Sequence, residues 1–326
     1  MNFRHLIFAS ILMLAASACT MGPDYAPRSA AELRVPERFA GTDTSPSADI
    51  AAWWAELDDP VLSALIDRAL ADNPDLAQSL ARVAQARESL AQTQGSTLPR
   101  VETSGSNGRN FNSELPDSWS FSRSIDARWT LDLFGGKRRS IEAARASYQA
   151  AGFTLANAQA ALAAEVARTY VDLRTTRRRL AVARGSLEVQ EQNALIAGWR
   201  GQAGLVSSID VEQARAQRAQ TAATVPLLEQ AEAQARFRLA VLAGDAPGAV
   251  DGLLADDAPL PAAPVAIGAG TPAELLRRRP DIRAAERDLA AATARIGVAE
   301  ADLYPAAPPF ARSRRPPKAH LPPIAG

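Results

Sequence analysis

The clearest pattern in the chain is an alternation of apolar and polar residues that begins at Trp119 and ends at Leu133. The positions on one face are apolar apart from Arg123: Trp119, Phe121, Ile125, Ala127, Trp129, Leu131 and Leu133. The other face carries serine, threonine and charged residues. A period of two predicts a β-strand with one apolar and one wet face. At ~3.3 Å per residue it would reach ~50 Å, which is more than a tilted membrane strand needs.

A long helix is predicted directly after this strand. Phe134-Gly135-Gly136 breaks the alternation, and the stretch from Arg138 to Arg200 contains no proline and much alanine. Apolar positions recur in it every seven residues, at Val166, Leu173, Leu180, Leu187 and Ala194. We expect one helix of ~60 residues, ~90 Å long at 1.5 Å per residue. A membrane-type strand that continues into such a helix predicts an object that stands in a membrane with a helical stalk below it.

A tight tip and a second long helix are predicted next. Three glycines between positions 198 and 204 end the first helix, because glycine is costly inside a helix. Ser207, followed three residues later by Asp210, forms a capping-box pattern for a helix from Ser208 to about Leu242, with Pro226 as an expected kink. Residues 201–207 can be a plain turn between antiparallel helices or a docking point at the end of the stalk. Geometry alone favours neither reading.

Shorter elements precede the strand. Val61–Ala71 and Asp75–Thr97 are predicted helices, separated at Asn73-Pro74, where Asn73 can cap the second helix. Val101–Phe111 is a weaker strand, and the turn signals Leu115-Pro116-Asp117 join it to the strong strand in one β-hairpin.

A second helical stretch, from Thr271 to Tyr304, follows a Pro/Ala/Gly-rich connection at 245–270. Its Pro-Asp start and its terminal proline repeat those of the first helical stretch at an offset of 206 residues. Asp281 corresponds to Asp75 and Pro305 to Pro99, since 281 − 75 and 305 − 99 both equal 206. We predict a first repeat over 61–244 and the start of a second over 271–305. A continued repeat would place a strand at 325–339 and a long helix at 344–406. The chain ends at Gly326, and the proline doublets of 306–326 predict a disordered, aberrant tail.

The amino terminus has the features of a secretory signal. Residues 1–18 combine Arg4, an apolar stretch and small residues before Cys19, which resembles a bacterial lipobox. One reading is a lipidated Cys19 at the start of an arm and linker over 19–60. Stable anchoring needs two or more acyl chains, which a triacylated cysteine supplies. Thr20 follows Cys19 in place of the aspartate that resembles an inner-membrane retention signal, so delivery to the outer membrane is favoured. The other reading is an ordinary signal peptide with a chance cysteine.

Composition removes several classes of function. His5 and His320 are the only histidines and Cys19 is the only cysteine, so the middle of the chain has no histidine for a triad or a metal site, and no intrachain disulfide can form. We therefore expect no cofactor, and an enzyme is the least favoured class. The formal net charge is zero and no basic stripe points to nucleic acid. No apolar run reaches 18 residues, so a spanning helix is not expected.

Six short motifs, in order, resemble the outer membrane factor family (TolC-like), in its NodT-type lipoprotein branch, over nearly all of residues 19–305. These motifs are Cys19 with Gly22-Pro23-Asp24-Tyr25, Trp53-Trp54 with Asp59-Pro60, Asn73-Pro74-Asp75-Leu76, Asp132-Leu133-Phe134-Gly135 with Arg138-Arg139, Leu239-Ala240-Val241-Leu242-Ala243-Gly244, and Leu275–Glu286 with Arg279-Pro280-Asp281-Ile282. The resemblance implies a mainly α fold. It would combine a long antiparallel helical hairpin, or coiled-coil stalk, with a β-hairpin that belongs to an outer-membrane β-barrel.

The family further implies a homotrimer in outer-membrane lipid, working with a periplasmic adaptor protein and an inner-membrane RND transporter. By resemblance, the adaptor docks at the tip, through Gly201, Gly204, Ser207, Ser208 and Asp210. The membrane-facing strand would present Trp119, Phe121, Ile125, Trp129 and Leu131 to lipid.

The resemblance implies a channel subunit of a tripartite efflux pump, for passive export of small molecules or drugs. The sequence departs from the family in having one hairpin where the family has four strands per subunit. A trimer of six strands falls below the ~8 of the smallest barrels, so this polypeptide alone is not expected to form a working duct. The alternatives are a non-conducting periplasmic strut, an inactive fragment, or a plain coiled-coil core. A strut or a coiled coil has no reason to show lipid an apolar strand.

Overall fold

The computed structural model describes residues 20–37, 52–110, 118–255, 259–262 and 271–305. A 3₁₀ turn (Trp53–Leu57) comes first, and the longer elements are α1 (Pro60–Asp72), α2 (Pro74–Gly95), β1 (Arg100–Asn110), β2 (Ser118–Arg128), α3 (Gly136–Gln202), α4 (Ser208–Leu242), α5 (Pro272–Arg278) and α6 (Pro280–Ala301). The expected class, mainly α with long antiparallel helices and one β-hairpin, is confirmed. The predicted signal peptide (1–18), Cys19 and the predicted tail (306–326) lie outside the described residues.

The chain divides into two compact units, and each is described by itself. The hairpin unit comprises Met1–Arg28, Arg82–Gly152 and Arg283–Gly326. The stalk unit comprises Ser29–Ala81 and Phe153–Ile282.

In the hairpin unit, β1 and β2 pair antiparallel, from Arg100↔Arg128 to Asn110↔Ser118. The prediction that the second strand continues to Leu133 is wrong, because β2 ends at Arg128. Pairing stops where the partner strand stops: β1 begins at Arg100, directly after Pro99, which has no N–H to donate.

The predicted long helix is confirmed. Helix α3 has 67 residues and extends the expected range by two residues at each end. The Asp132 carboxylate accepts hydrogen bonds from the amides of Lys137 (3.2 Å) and Arg138 (3.0 Å), which satisfies donors that the first turn leaves free. This capping explains why the chain changes from hairpin to helix within a few residues.

The core of the stalk unit lies where α1, α3 and α4 meet. Its fully buried large side chains are Tyr170, Leu62, Leu65, Ile66, Leu173, Leu239, Leu254, Val166 and Val250. Val250 and Leu254 lie in the turns after α4. The first three positions of the predicted seven-residue repeat, Val166, Leu173 and Leu180, are buried.

Ion pairs follow the antiparallel contact between α3 and α4. They join Arg177 to Glu232 (2.9 Å), Arg184 to Glu229 (2.7 Å) and Glu191 to Arg218 (3.0 Å). The positions on α3 are seven residues apart, as expected along one side of a coiled-coil contact. Residue numbers on α4 fall as those on α3 rise, so the two helices run in opposite directions.

Two of the sequence motifs meet at Asn73. Its side-chain oxygen accepts hydrogen bonds from the amides of Asp75 (2.9 Å) and Leu76 (3.2 Å), which confirms the predicted cap of α2. Its side-chain nitrogen donates to the Leu242 carbonyl (3.0 Å) at the end of α4. Gly244 has a φ of 76°, and a Cβ there would lie 2.4 Å from the Asp72 carbonyl oxygen. The glycine is required by both its conformation and the close backbone contact.

The stretch predicted as helical from Thr271 to Tyr304 consists of two helices, with a break at Arg279. Pro280 starts α6 and disfavours helical geometry at the residue before it. Helices α2 and α6 each have 22 residues and begin at positions 74 and 280, which are 206 apart. The internal repeat itself stays a prediction.

Candidate functional site: hairpin face and helix-pair tip

One face of the hairpin carries a ladder of serine pairs. The hydroxyl oxygens of Ser104 and Ser124 lie 2.7 Å apart, and those of Ser106 and Ser122 lie 2.8 Å apart. These hydrogen-bonded pairs face each other across the strands, as the register requires. This face is therefore the wet one predicted from the alternation.

The opposite face exposes large apolar side chains. The exposed fractions of Trp119, Phe121 and Ile125 are 63%, 70% and 73%. The rings of Trp119 and Phe121 stack with centroids 6.2 Å apart, and the Arg109 guanidinium lies 5.4 Å from the Trp119 ring centroid. Arg123 lies on the same face, opposite Gly105. Large apolar side chains exposed together on one face, with Arg123 among them, indicate contact with lipid or another protein.

Trp129 and Leu131 are exposed but do not belong to the strand, which corrects the predicted strand set. The Trp129 indole N–H donates to the Thr97 carbonyl (2.9 Å). The Lys137 ammonium donates to the carbonyls of Ser96 and Thr130, both at 3.1 Å. These bonds tie the segment after β2 to the segment before β1. Trp129 and Leu131 therefore lie at the junction of hairpin and helices. Within the described residues, no helix combines the length and the apolarity needed to cross a membrane.

The tip of the helix pair is shorter than predicted. Gly201 lies inside α3, and the turn comprises only residues 203–207. A Cβ at position 201 would lie 2.7 Å from Val211 Cγ2, so Gly201 serves close helix packing and does not end the helix. The helix ends at Gln202, and Gly204, which has a φ of 70°, is the left-handed residue that closes its C-terminus. The Leu205 amide donates to the Arg200 carbonyl (2.8 Å), and the Gly204 amide donates to Gly201 (3.0 Å), as in a Schellman motif.

The predicted capping box at the start of α4 is present. The Ser207 hydroxyl accepts a hydrogen bond from the Asp210 amide (3.2 Å), and the Asp210 carboxylate accepts one from the Ser207 amide (3.0 Å). The hydroxyl also donates to this carboxylate (2.7 Å), and these bonds lower the pKa of Asp210. Ser208 is the first residue of α4.

Two sets of exposed apolar residues in the stalk unit were missed by the sequence reasoning. Trp199, Leu205 and Ile209 surround the tip turn. Val182, Val189 and Ile196 form a second seven-residue row on α3 and are exposed, whereas the first row faces α4. The spacing of the second row was visible in the sequence. Its exposure was not, because it depends on which row packs against α4.

A comparison with protein-family models matches residues 65–245, more than half of the chain, to the family described as outer membrane efflux protein. The chain belongs to the outer membrane efflux protein family. The recognition from sequence motifs is thereby confirmed, and membership agrees with the expectation of a non-enzymatic protein.

Relatives in this efflux family are similar along most of the chain. Nodulation protein T of Rhizobium leguminosarum bv. viciae is 35% identical over 309 residues, covering 94% of this chain and 63% of the relative. The pyoverdine export outer membrane protein OpmQ of Pseudomonas aeruginosa is 32% identical over 281 residues, covering 82% of this chain and 59% of the relative. The chain thus spans about six tenths of the length of these relatives.

Solved structures show the same fold. The outer-membrane channel OprN superposes with a TM-score of 0.77 at 37% identity, covering 88% of this chain and 66% of that one. The long helices and the hairpin therefore share the fold of the corresponding part of that channel.

Proposed function

We propose that this chain belongs to the outer-membrane channel subunit of a tripartite efflux pump, for passive export of small molecules across the outer membrane, and that the six strands of three such hairpins do not by themselves close a working duct. The observation that carries the proposal is the hairpin, whose Trp119, Phe121 and Ile125 face is exposed while the opposite face is a serine ladder. Strand β2 has 11 residues, which suits the ~9–11 residues of a tilted membrane strand. Contact with lipid suits the apolar face, and contact with water suits the hydroxyl groups of the serine face.

A homotrimer is part of the proposal. A two-stranded sheet leaves backbone N–H and C=O groups unpaired at both edges, and such groups cost several kcal/mol each in hydrocarbon. Strands from further copies would pair them. The exposed row of Val182, Val189 and Ile196 on α3 supports side-by-side packing, because its spacing suits a neighbouring helix.

The location follows from the same chemistry. We infer an outer-membrane protein that contacts lipid through its hairpin and extends into the periplasm. Lipidation of Cys19, which lies outside the described residues, would add an anchor in the membrane.

The tip is the proposed docking point for a periplasmic adaptor protein, which would link the channel to an inner-membrane RND transporter. Gly201, Gly204, Ser207, Ser208 and Asp210 fix the turn, and the exposed apolar side chains around it supply contact area. Leu205→Asp should abolish co-purification with the adaptor while membrane insertion is retained. Unchanged co-purification would remove the tip from the interface.

The lipid-facing role is tested by placing one charge on either face of β2. Phe121→Arg puts a guanidinium on the apolar face, where it should destabilise the inserted state by about 2–4 kcal/mol near the bilayer midplane and less near an interface. Ser122→Arg, one residue away on the wet face, is the matched control. We expect the first variant to be depleted from outer-membrane fractions and the second to be retained. Equal retention of both variants would favour a periplasmic strut over a channel subunit.

A further inference from the structure

We propose that Thr20–Tyr25 acts as a strap that locks the start of α3 to α6, and that Arg139 is the positioning residue that holds the strap in place. The proposal concerns the hairpin unit alone. It gives a mechanical role to a segment that the channel function leaves unused. It also explains why three sequence motifs, those that contain Gly22, Arg139 and Glu286, lie close together although they are far apart in the chain.

The first contact of the strap is with the turn before α3. The Met21 amide donates to the Phe134 carbonyl (3.2 Å). Gly135, next to it, has a φ of 78°, and a Cβ there would lie 2.9 Å from the Thr20 Cα. A side chain at position 135 would therefore displace the strap, which gives this glycine a second reason besides its backbone conformation.

The second contact is a meeting of two glycines. A Cβ on Gly22 would lie 2.3 Å from the Gly297 Cα, and a Cβ on Gly297 would lie 2.6 Å from the Met21 carbonyl oxygen. Real Cβ atoms do not approach backbone so closely. The strap thus lies directly on α6, and any side chain at either position would separate the two.

Arg139 binds the strap from α3, with a side chain that is only 5% exposed. Its guanidinium donates to the carbonyls of Met21 (Nε, 3.0 Å) and Gly22 (Nη2, 3.1 Å) and to the Asp24 carboxylate (Nη2, 2.6 Å). The remaining donor group, Nη1, reaches Glu142 (2.8 Å) on its own helix. A buried guanidinium whose Nε, Nη1 and Nη2 atoms are all hydrogen-bonded specifies one position for the strap, because a displaced strap would leave buried donors without acceptors.

Tyr25 fixes the far end of the strap. Its ring packs against the small residues Ala146 of α3 and Ala290 and Ala291 of α6. The Tyr25 hydroxyl donates to Glu286 (3.3 Å), and the Arg287 guanidinium lies 5.6 Å from the ring centroid. The strap is therefore held to both helices at both of its ends.

This arrangement has a consequence for attachment to the membrane, which rests on the proposed lipid anchor. A force applied at the residue before Thr20 would reach α3 and α6 through the strap, because Gly22 and Tyr25 each contact both helices. The docking itself needs no lipid, since every contact named above is made by the protein.

Arg139→Met in the full chain tests the lock, with the exposed Arg145→Met on the same helix as control. Hydrogen exchange of the assembled protein, followed by mass spectrometry, reports on residues 20–25 and on α6. For Arg139→Met we expect roughly tenfold or faster exchange at the strap and faster exchange in the 286–297 part of α6, with β1 and β2 unchanged. The control should match the wild type. Wild-type exchange at both segments in Arg139→Met would overturn the proposal.

Milder variants keep the test decisive if Arg139→Met does not fold. Asp24→Asn removes one partner of Arg139 at a carboxylate whose side chain is 88% exposed, and should loosen the strap less than Arg139→Met does. Gly297→Leu should release the strap through shape alone. Cys19→Ser should leave strap protection unchanged even where membrane attachment is lost. Loss of strap protection in Cys19→Ser, or a fully protected strap in Gly297→Leu, would overturn the proposal without bearing on the channel function.

Discussion

Tyr170→Phe removes one oxygen atom from the centre of the stalk unit, and its cost can be worked out from two hydrogen bonds. The side chain of Tyr170 is fully buried. Its hydroxyl donates to the Asp59 carboxylate (2.8 Å) and accepts from Arg174 Nε (3.0 Å). Burial is the main cause that raises the pKa of Tyr170, so the phenol stays neutral and remains a donor.

Both partners of this hydroxyl are charged and nearly inaccessible to water. Asp59 keeps the amides of Val61 (2.9 Å) and Leu62 (3.0 Å) as donors, so it is not stranded. A hydrogen bond to a charged group contributes about 1.5–3 kcal/mol, and two are lost. With the retained bonds of Asp59 taken into account, we expect the free energy of unfolding to fall by about 2–4 kcal/mol.

The assay is chemical denaturation of the purified protein, combined with hydrogen exchange at the start of α1, where Asp59 forms the cap. Tyr148→Phe is the control, because Tyr148 is half-buried and is bonded to none of the described residues through its hydroxyl. The reasoning fails if Tyr170→Phe costs less than about 0.5 kcal/mol and leaves exchange at α1 unchanged.

Four further outcomes follow from contacts in the stalk unit. Gly244→Ala should cost more than about 2 kcal/mol, read as a lower thermal midpoint, because both the positive φ and the Asp72 carbonyl oppose a Cβ. Arg184→Ala should cost less than about 1 kcal/mol in urea denaturation, since both partners of its ion pair are half exposed. Arg177→Ala should cost clearly more, because its side chain is 19% exposed and also donates to a backbone carbonyl. The lowered pKa of Asp210 means that its contribution is complete above the ordinary carboxyl pKa and is lost as pH falls through the lowered value, so amide protection at the start of α4, measured relative to the intrinsic exchange rate at each pH, should fall below about pH 4.

Features governed by neighbouring residues were predictable from the sequence. The capping box of Ser207 and Asp210, the cap at Asn73 and the extent of α3 all depend on contacts within one or two helical turns. Local patterns carry this information, because side-chain oxygens three residues from a free amide are placed by the backbone itself.

Features governed by distant residues were not predictable in the same way. The end of β2 depends on where its partner strand begins, and the alternation that continues to Leu133 gives no sign of this limit. Gly201 is read as a helix breaker until Val211 is known to lie against it. Arg139 stands in a run of basic residues, and its burial depends on a strap more than a hundred residues earlier in the chain.

The closed hydrogen bonding of the tip limits how any partner can recognise it. The amides of Ala203, Gly204 and Leu205 donate to carbonyls of the helix they end, and those of Ser207 and Asp210 are taken up by the capping box. Main-chain donors at these five positions are already used, so an incoming protein cannot bind the turn through them. Recognition must come from the contour of the turn and from the side chains that surround it. Substitutions of the exposed apolar side chains there, such as Leu205, should therefore weaken recognition.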